Sequence, residues 1–316
     1  MSAALRGDEE TAISHLIEKL NSLLEGEEAA AALVACGQRA VGPLRRFLME
    51  GRPSGVYHPR RWAVNALAGL EAKDVLLEYL RNDRPIPDAV ARMGEEAVKN
   101  AAAAALKQWP SDEVFEVLIG VLRRRALPGA VQTLGELGRT EAAPYIIAAL
   151  EDDVCRAAAE EALRKMGNAA VPDLALAALN PRPDREQESP SSLLRRSSAA
   201  QLLAEIGVSQ EMWTRLKPLA GETAPAILIA AARMALRAGD QTVLLAVTER
   251  LIAALGDADW YFRDGIGDVL VEIQETARPV VEQEIAMRIE LPLEKRIGDP
   301  VLRTLLRVKR RLQART

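Results

Sequence analysis

The sequence predicts an all-α protein built as a solenoid of repeated helix pairs, and three observations indicate this fold class. Small and aliphatic apolar residues recur at three- and four-residue spacing, which is the period of one buried stripe on a helix. Aromatic residues make up 3% of the 316 residues although the hydrophobic fraction is 49%, which favours closely packed helices over a β sandwich or barrel. Similar segments recur roughly every 30 residues, a spacing typical of a stacked repeat.

The first helix of the repeat is recognisable in three segments, which begin at Val154, Leu194 and Tyr261. In each segment an Arg is followed by Leu seven residues later and by Met or Ile ten residues later. Gly comes next in the first two segments, where it suits the left-handed residue that often ends a helix. This spacing predicts a helix with one buried apolar stripe.

The second helix of the repeat carries a Pro near its start, as in Ala40–Leu48, Ala142–Leu150 and Ala170–Leu179. Pro is tolerated in the first turn because the amide at that position has no acceptor within the helix. The repeat unit is therefore a helix, a turn and a second helix that begins with Pro.

Eight such pairs are expected over residues 29–290. The Gly of the motif is replaced by Pro110 in the third pair and by Asp240 in the seventh. A leucine at one phase of the first helix marks each pair: Leu33, Leu67, Leu106, Leu134, Leu163, Leu203, Leu236 and Leu270.

Both ends of the array are expected to be capped, because an end repeat has no neighbour against which to bury its apolar face. Residues 1–28 form the predicted N-terminal cap, with a helix near residues 8–25. Residues 291–316 form the predicted C-terminal cap, with a helix near residues 299–313. The chain is then expected to be a single repeat domain.

The segment Asp152–Leu179 is the most specific part of the pattern, because it combines the Arg, Leu, Met and Gly of the first helix with the Pro of the second. It resembles the HEAT repeat, in the short form found in the phycobilisome-lyase-like HEAT family, and the resemblance extends over most of the chain. It implies a right-handed α-α superhelix whose second helices lie along the concave side.

Charged residues at the two ends of the chain have opposite sign, although the net charge of −4 is ordinary. Residues 1–30 are rich in acids, whereas residues 301–316 carry six basic residues and no acid. One interpretation is a pair of solvated end caps. The other is a basic docking helix, or a head-to-tail contact between molecules.

The cellular setting is expected to be the cytoplasm. Cys36 and Cys155 do not make a disulfide framework, and no CxxC pair suggests a metal site. No cationic segment followed by an apolar one opens the chain, and no charge-free run approaches the roughly 20 residues that cross a bilayer. We therefore expect no membrane association.

No catalytic motif stands out, since the sequence lacks a P-loop, a GxSxG segment and an HExxH segment. The only histidines, His15 and His58, lie in different repeats. Deoxyhypusine hydroxylases resemble this architecture but bind iron through His-Glu pairs, and the chain has no His-Glu dipeptide. The expectation is a protein that is not an enzyme and has neither a cofactor nor a metal.

Two other classes with related repeats stay open as alternatives. Bilin lyases handle open-chain tetrapyrroles, but a repeat resemblance reports the fold and does not fix function. DNA glycosylases with HEAT-like repeats need a basic concave face, and here Arg45, Arg46 and Arg123–Arg125 are interspersed with acids. Nucleic-acid binding is therefore disfavoured, as the acidic net charge also indicates.

The preferred function is a scaffold that binds a protein partner of unknown identity; the oligomeric state is open. The second helices of the fourth and fifth pairs carry few charges where they are expected to face outward, and an exposed apolar patch rimmed by charge marks a protein-binding site. The alternative is that tight stacking buries these residues. The candidate partner-binding residues are Tyr145, Ile147, Ala148, Leu176 and Ala177.

A basic residue recurs at one phase of the first helix. A fixed phase favours a structural role, in which the side chain bridges neighbouring repeats through turn carbonyls or acids, over a ladder that follows phosphates. The residues of this basic ladder are Arg60, Lys99, Arg156, Arg196 and Arg263.

The two longest links, Asn82–Glu95 and Pro181–Ser192, both connect a second helix to the next first helix, as the shorter Gly51–Pro59 does. In a solenoid such links lie along one edge, where insertions often build a binding rim. The polar link Pro181–Ser192 is expected to be mobile. In Trp260–Phe262 one or two of the three rings are expected to pack between the seventh and eighth pairs.

Overall fold

Helix pairs dominate the structure, as the helical period of the sequence predicts. A computed structural model describes residues 2–184 and 187–314, without the side chains of residues 2–8 and of Asp184. These residues form two compact units that divide between Lys165 and Met166. The chain ends and the link Pro181–Ser192 contain charged residues whose side chains lie outside the described part. They include Arg6, Asp8, Arg185, Glu186 and Arg315.

The first unit opens with one helix and continues as helix pairs, because each apolar stripe needs a neighbour. Its elements are α1 (Ser2–Lys19), α2 (Gly26–Ala35), α3 (Val41–Glu50), α4 (His58–Gly69), α5 (Lys73–Arg81), α6 (Ala89–Ala105), α7 (Asp112–Leu122), α8 (Pro128–Leu137), α9 (Ala143–Ala148) and α10 (Arg156–Met166), at which the unit ends.

The second unit has the same organisation, with a short hairpin after its first helix. Its elements are α11 (Val171–Leu179), β1 (Pro183–Asp184), β2 (Gln187–Glu188), α12 (Pro190–Ile206), α13 (Gln210–Leu216), α14 (Pro225–Ala238), α15 (Gln241–Ala254), α16 (Trp260–Ile273), α17 (Ala277–Ile289), α18 (Leu293–Arg296) and α19 (Pro300–Gln313).

Each unit is layered. In the first unit the first helices α2, α4, α6 and α8 pack in sequence as one layer, and the second helices α3, α5, α7 and α9 pack as another. In the second unit α12, α14 and α16 pack in sequence, and α19 covers both α16 and α17. The strands β1 and β2 pair antiparallel, with Pro183 opposite Glu188. Both units thus contain packed helix pairs, and the all-α repeat prediction is confirmed.

Left-handed residues end most of the first helices, as the Gly of the motif predicts. The glycines include Gly37, Gly138 and Gly167, with φ between 56° and 67°. Glu71 and Gln274 take the equivalent place in the second and eighth pairs, with φ of 55° and 50°. Because a Cβ is strained at positive φ, these two residues carry a conformational cost that Gly avoids.

The phase predicted for the seventh pair is wrong by one residue. Gly239 ends α14 with φ 68°, so the position four residues earlier is Ala235, which is fully buried. Leu236, the predicted marker, is only half-buried. Asp240 does not replace the Gly; its side chain caps the start of α15 by accepting a hydrogen bond from the amide of Val243.

Two predicted segments also differ from the structure. The N-terminal helix lies earlier than expected, since α1 ends at Lys19. The link Asn82–Glu95 is irregular only in its first half, because Asp88 caps a helix that starts at Ala89. In the link Pro181–Ser192 the described part contains the β1–β2 pair, and its mobility stays a prediction.

Candidate functional site

The five residues of the basic ladder each donate a hydrogen bond to a main-chain carbonyl near the end of the preceding second helix. The last carbonyls of a helix accept no hydrogen bond from within the helix, and they lie at the negative end of its dipole. A cation at this position is therefore favourable. The pairs and distances are Arg60 to Leu48 (3.0 Å), Lys99 to Asn82 (2.7 Å), Arg156 to Leu150 (3.3 Å), Arg196 to Ala178 (2.8 Å) and Arg263 to Leu255 (3.2 Å).

Arg60 lies in a buried ion cluster of the first unit. Its guanidinium pairs with Glu95, and its Nη2 lies 3.1 Å from the hydroxyl of Tyr79. That hydroxyl donates to Glu95 over 2.8 Å. Burial alone would raise the pKa of Glu95, but the hydrogen bonds from Arg60 and Tyr79 outweigh it and hold the pKa below its usual range. The carboxylate is therefore charged and paired although it is buried.

Lys99 lies one repeat further along the same unit. Its ammonium donates to the carbonyl of Asn82 and lies 3.3 Å from the carboxylate of Asp83. Burial lowers the pKa of Lys99, and Asp83 offsets part of that effect. Arg125 approaches the same carboxylate to 2.7 Å. The first half of the link Asn82–Glu95 is thus held to α6 through Lys99 and to the turn after α7 through Arg125.

Arg196 organises the corresponding link of the second unit. It pairs with Glu188 of the hairpin over 2.6 Å and with Glu222. The hydroxyl of Ser192 donates to Glu188 over 2.7 Å and accepts from the amide of Arg182 over 2.8 Å. These hydrogen bonds attach the described part of the hairpin to the start of α12.

The predicted partner-binding residues differ in how far they are exposed. Ile147 and Ala177 are each only 5% exposed, so the prediction that their side chains face outward is wrong. Ile147 is two positions from Tyr145, and Ala177 is one position from Leu176. Because neighbouring residues on a helix face different sides, Ile147 and Ala177 point into the stack and are covered by it. Ala148 and Leu176 are exposed, and Tyr145 is half-buried. The Tyr145 hydroxyl lies 2.8 Å from Arg123, whose guanidinium also covers the ring.

A different exposed apolar surface lies in the first unit. It is found at and beside the links that connect a second helix to the first helix of the next pair. We call it the edge patch. Met93 is 69% exposed and Val154 is 76% exposed, which is uncommon for side chains of this size. The large apolar members of the edge patch are Val56, Val90, Met93 and Val154.

The edge patch is continuous along the first unit. Val90 and Met93 are one turn apart on α6, so their side chains are neighbours. Gly55 lies against the side chain of Val90, and Gly94 lies so close to the carbonyl of Ser54 that a Cβ there would overlap it. The absence of a side chain at Gly94 therefore lets the link before α4 lie against the start of α6.

A depression of about 300 Å³ continues the edge patch. Met93 and Val154 stand on its rim, and most of its exposed lining is apolar. The side chain of Asp152 accepts hydrogen bonds from the amides of Val154 and Cys155, both at 2.9 Å, and so fixes the turn that presents Val154. The rest of the lining comes from Glu96, Ala97, Asn100, Ala126, Leu127 and Pro128.

The comparison with protein families agrees with this architecture. The sequence model of the PBS lyase HEAT-like repeat matches residues 129–152, a stretch that covers α8, the turn after it and α9. The protein is a HEAT-like repeat protein. The prediction of HEAT-type repeats is therefore confirmed. No curated protein matches the chain.

The basic residues on the second helices of this HEAT-like repeat protein are largely engaged with neighbours. Arg45 forms a two-fold ion pair with Glu78, and Arg81 lies 2.9 Å from Glu113. Arg123 is held by Tyr145, as described above. Arg45 and Arg81 are thus paired with acids, whereas Arg123 keeps its charge beside the neutral Tyr145 hydroxyl.

Two aromatic rings at the start of α16 are exposed, which leaves Phe262 as the one ring of Trp260–Phe262 that is half-buried. Trp260 is 74% exposed and Tyr261 is 62% exposed, while Phe262 is half-buried. Asp259 caps the helix by accepting from the amide of Phe262, which directs the first two residues away from the core. The rings contact one another edge to face, at 6.1 Å and 5.4 Å between centroids.

The described residues do not bring metal ligands together. Within residues 2–184 and 187–314, no three His, Cys, Asp or Glu side chains are grouped so as to hold a metal ion. None of the described helices has the length and apolar character that a membrane span requires. Both cysteines are free, and Cys155 is buried. Burial, and then the neighbouring Asp152, raises the pKa of the Cys155 thiol to about 12.

Proposed function

We propose that this protein is a non-catalytic scaffold that holds a partner protein on the edge patch of its first unit. The observation that carries the proposal is the run of exposed apolar side chains Val56, Val90, Met93 and Val154 beside an apolar depression. An exposed apolar surface of this kind marks a protein-binding site because water contact with it is unfavourable. The free cysteines favour a reducing compartment such as the cytoplasm.

The edge patch supports binding better than the second-helix face predicted from the sequence. On that face Ile147 and Ala177 are buried and the Tyr145 ring is covered by Arg123, which leaves Leu176 as its one large exposed apolar candidate. A single exposed leucine is common on protein surfaces. Four large apolar side chains in one unit that are each more than half exposed are not.

The buried ion cluster supports the proposal by making the edge patch rigid. Glu95 belongs to α6, and so do Val90 and Met93. Its pair with Arg60 ties the first turns of α6 to α4, and its hydrogen bond with Tyr79 ties them to α5. A surface that is already ordered loses little conformational entropy on binding, so more of the contact energy appears as affinity.

The alternatives have weaker support. A bilin role would need a site for a tetrapyrrole; the edge depression of about 300 Å³ is at the small end for ligand pockets, and a depression of about 680 Å³ beside Trp109 has a mainly polar lining. A nucleic-acid role would need free cations, whereas the second-helix arginines are mostly paired. We therefore keep the binding of a protein partner as the proposed function.

The test compares two double variants that place the same charges on the two competing surfaces. Val90→Glu/Met93→Glu alters the edge patch, and Tyr145→Glu/Leu176→Glu alters the second-helix face. Partners captured by the wild-type protein from its native host are identified by mass spectrometry, and the most enriched one is purified. Its affinity for each variant is then measured by calorimetry.

The proposal predicts that the edge variant lowers affinity by at least about tenfold, since two central apolar contacts are each worth roughly 1 kcal/mol or more. The second-helix variant is expected to bind like the wild type. Circular dichroism checks that both variants are folded. Loss of binding in the second-helix variant alone would overturn the proposal and restore the sequence-based site.

A further inference from the structure

The outer face of α19 carries positive charge that the described residues do not neutralise. The inner face packs on α16 and α17 through Val301, Leu305 and Val308. Arg307 and Arg311 reach sideways to two acids of α16, Asp264 over 2.7 Å and Asp268 over 2.6 Å. These two pairs fix how the helix is rotated on the second unit.

That rotation presents a stripe made of Arg303, Leu306 and Arg310 to solvent. The three residues lie on one side of the helix, since they are spaced by three and four positions. Leu306 is 41% exposed. Within the described part of the chain neither arginine has an acidic partner. We call these three residues the basic stripe.

The loop between α1 and α2 has the opposite chemistry. Leu23 is 64% exposed and Leu24 is 93% exposed, at the tip of the loop. Glu18 precedes them, and Glu27 and Glu28 follow them in the first turn of α2. These three carboxylates are exposed and have no cationic partner among the described residues, whereas Glu25 is paired with Lys19. We call residues 18–28 the acidic loop.

We propose that copies of this chain associate head to tail, with the acidic loop of one copy on the basic stripe of the next. The second copy is the occupant that the charges select, because one chain carries both an acidic surface with exposed leucines and a basic surface with an exposed leucine. Leu24 and Leu306 then bury each other while the carboxylates face the arginines. A contact between two different surfaces repeats from copy to copy, so the product is a ring or an open chain.

The proposed contact is small and charged, and this determines its behaviour. A few side chains on each copy bury less than a standard interface, so the affinity is expected to be micromolar or weaker. The charges are exposed, so salt weakens the contact: the screening length falls from about 10 Å at 0.1 M to about 3 Å at 1 M. This self-association does not depend on the edge patch.

Sedimentation velocity on the full chain tests the inference over a concentration series at low and high salt. The wild type is expected to sediment faster as its concentration rises at about 0.1 M salt, and as a monomer at about 1 M. Arg303→Glu/Arg310→Glu and Glu18→Lys/Glu27→Lys are each expected to weaken self-association by at least about tenfold, because like charges then face each other.

Mixing the two variants separates the proposed contact from a general effect of charge. The Arg303→Glu/Arg310→Glu variant keeps an intact acidic loop, and the Glu18→Lys/Glu27→Lys variant keeps an intact basic stripe. These two surfaces match, so the mixture is expected to associate more strongly than either variant alone. Arg46→Glu/Arg215→Glu, which reverses two exposed arginines elsewhere, is the matched control and is expected to associate like the wild type. A wild type that is monomeric at every concentration in low salt would overturn the inference, and so would a mixture that stays monomeric.

Discussion

Replacing Arg60 by Ala tests whether the buried ion cluster holds the first unit together. The change removes three contacts of one guanidinium: the ion pair with Glu95 and the hydrogen bonds to the Leu48 carbonyl and the Tyr79 hydroxyl. Glu95 is 2% exposed, so its charge would remain buried without its main partner. Breaking a buried pair in this way costs about 3–5 kcal/mol of unfolding free energy.

Arg45→Ala is the matched control, because it also removes an arginine that is doubly paired with a glutamate. Arg45 and Glu78 are about half exposed, so water already screens them and replaces the lost contacts. The expected loss of unfolding free energy is small, because an exposed ion pair contributes little to stability. The assay is urea unfolding followed by circular dichroism, with hydrogen exchange of α4 and α6 reporting on the first unit. Equal losses in the two variants would refute the reasoning, since burial would then not matter.

The pH dependence of Arg60→Ala provides a second readout with a definite sign. In the wild type the pKa of Glu95 is lowered on folding, so its contribution to stability is present above the unfolded pKa of about 4.3 and is lost as the pH falls below it. Without Arg60, burial dominates and raises that pKa. The folded variant then binds more protons than the unfolded one, so its stability is expected to increase as the pH falls from neutral towards 5, a range over which the contribution of Glu95 to the wild type does not change.

Three further predictions concern single positions. Glu71→Gly is expected to stabilise the protein by roughly 0.5–1 kcal/mol because it removes a Cβ at φ 55°, while Gly138→Ala costs about 1 kcal/mol; melting temperatures of the two variants should move in opposite directions. In the native protein a thiol reagent is expected to label half-buried Cys36 and to leave Cys155 unlabelled until urea is added. The reason is that burial keeps the Cys155 thiol protonated and covered. Rapid labelling of both cysteines would contradict this. Gly94→Val is expected to cost more than 1 kcal/mol in urea unfolding, since its side chain would overlap the link before α4; an unchanged midpoint would contradict the packing described.

The helix pairs could be predicted because their signals are local. The Arg, the apolar stripe and the Gly lie within one helix, and each has a direct physical reason. The positions of Arg60 and Arg196 followed from the same phase, and both side chains reach the preceding second helix as a bridging role requires. Only the seventh pair failed in phase, because Leu236 stands beside the position that Gly239 defines.

The edge patch could not be predicted from periodicity, because it depends on where α6 begins. The repeat spacing predicted a link as far as Glu95, whereas α6 starts at Ala89. A signal was present, since Asp88 is a suitable N-cap residue. The error at Ile147 could have been avoided, because Tyr145 and Ile147 are two positions apart and cannot share a helix face.

Hydrogen exchange of the protein with and without its captured partner tests the central claim most directly. If the partner lies on the edge patch, exchange is expected to slow in peptides that cover residues 51–57, the first two turns of α6 and the turn at Val154. Peptides that cover α9 and α11 are expected to be unchanged. Protection confined to α9 and α11, with no change at the start of α6, would contradict the account.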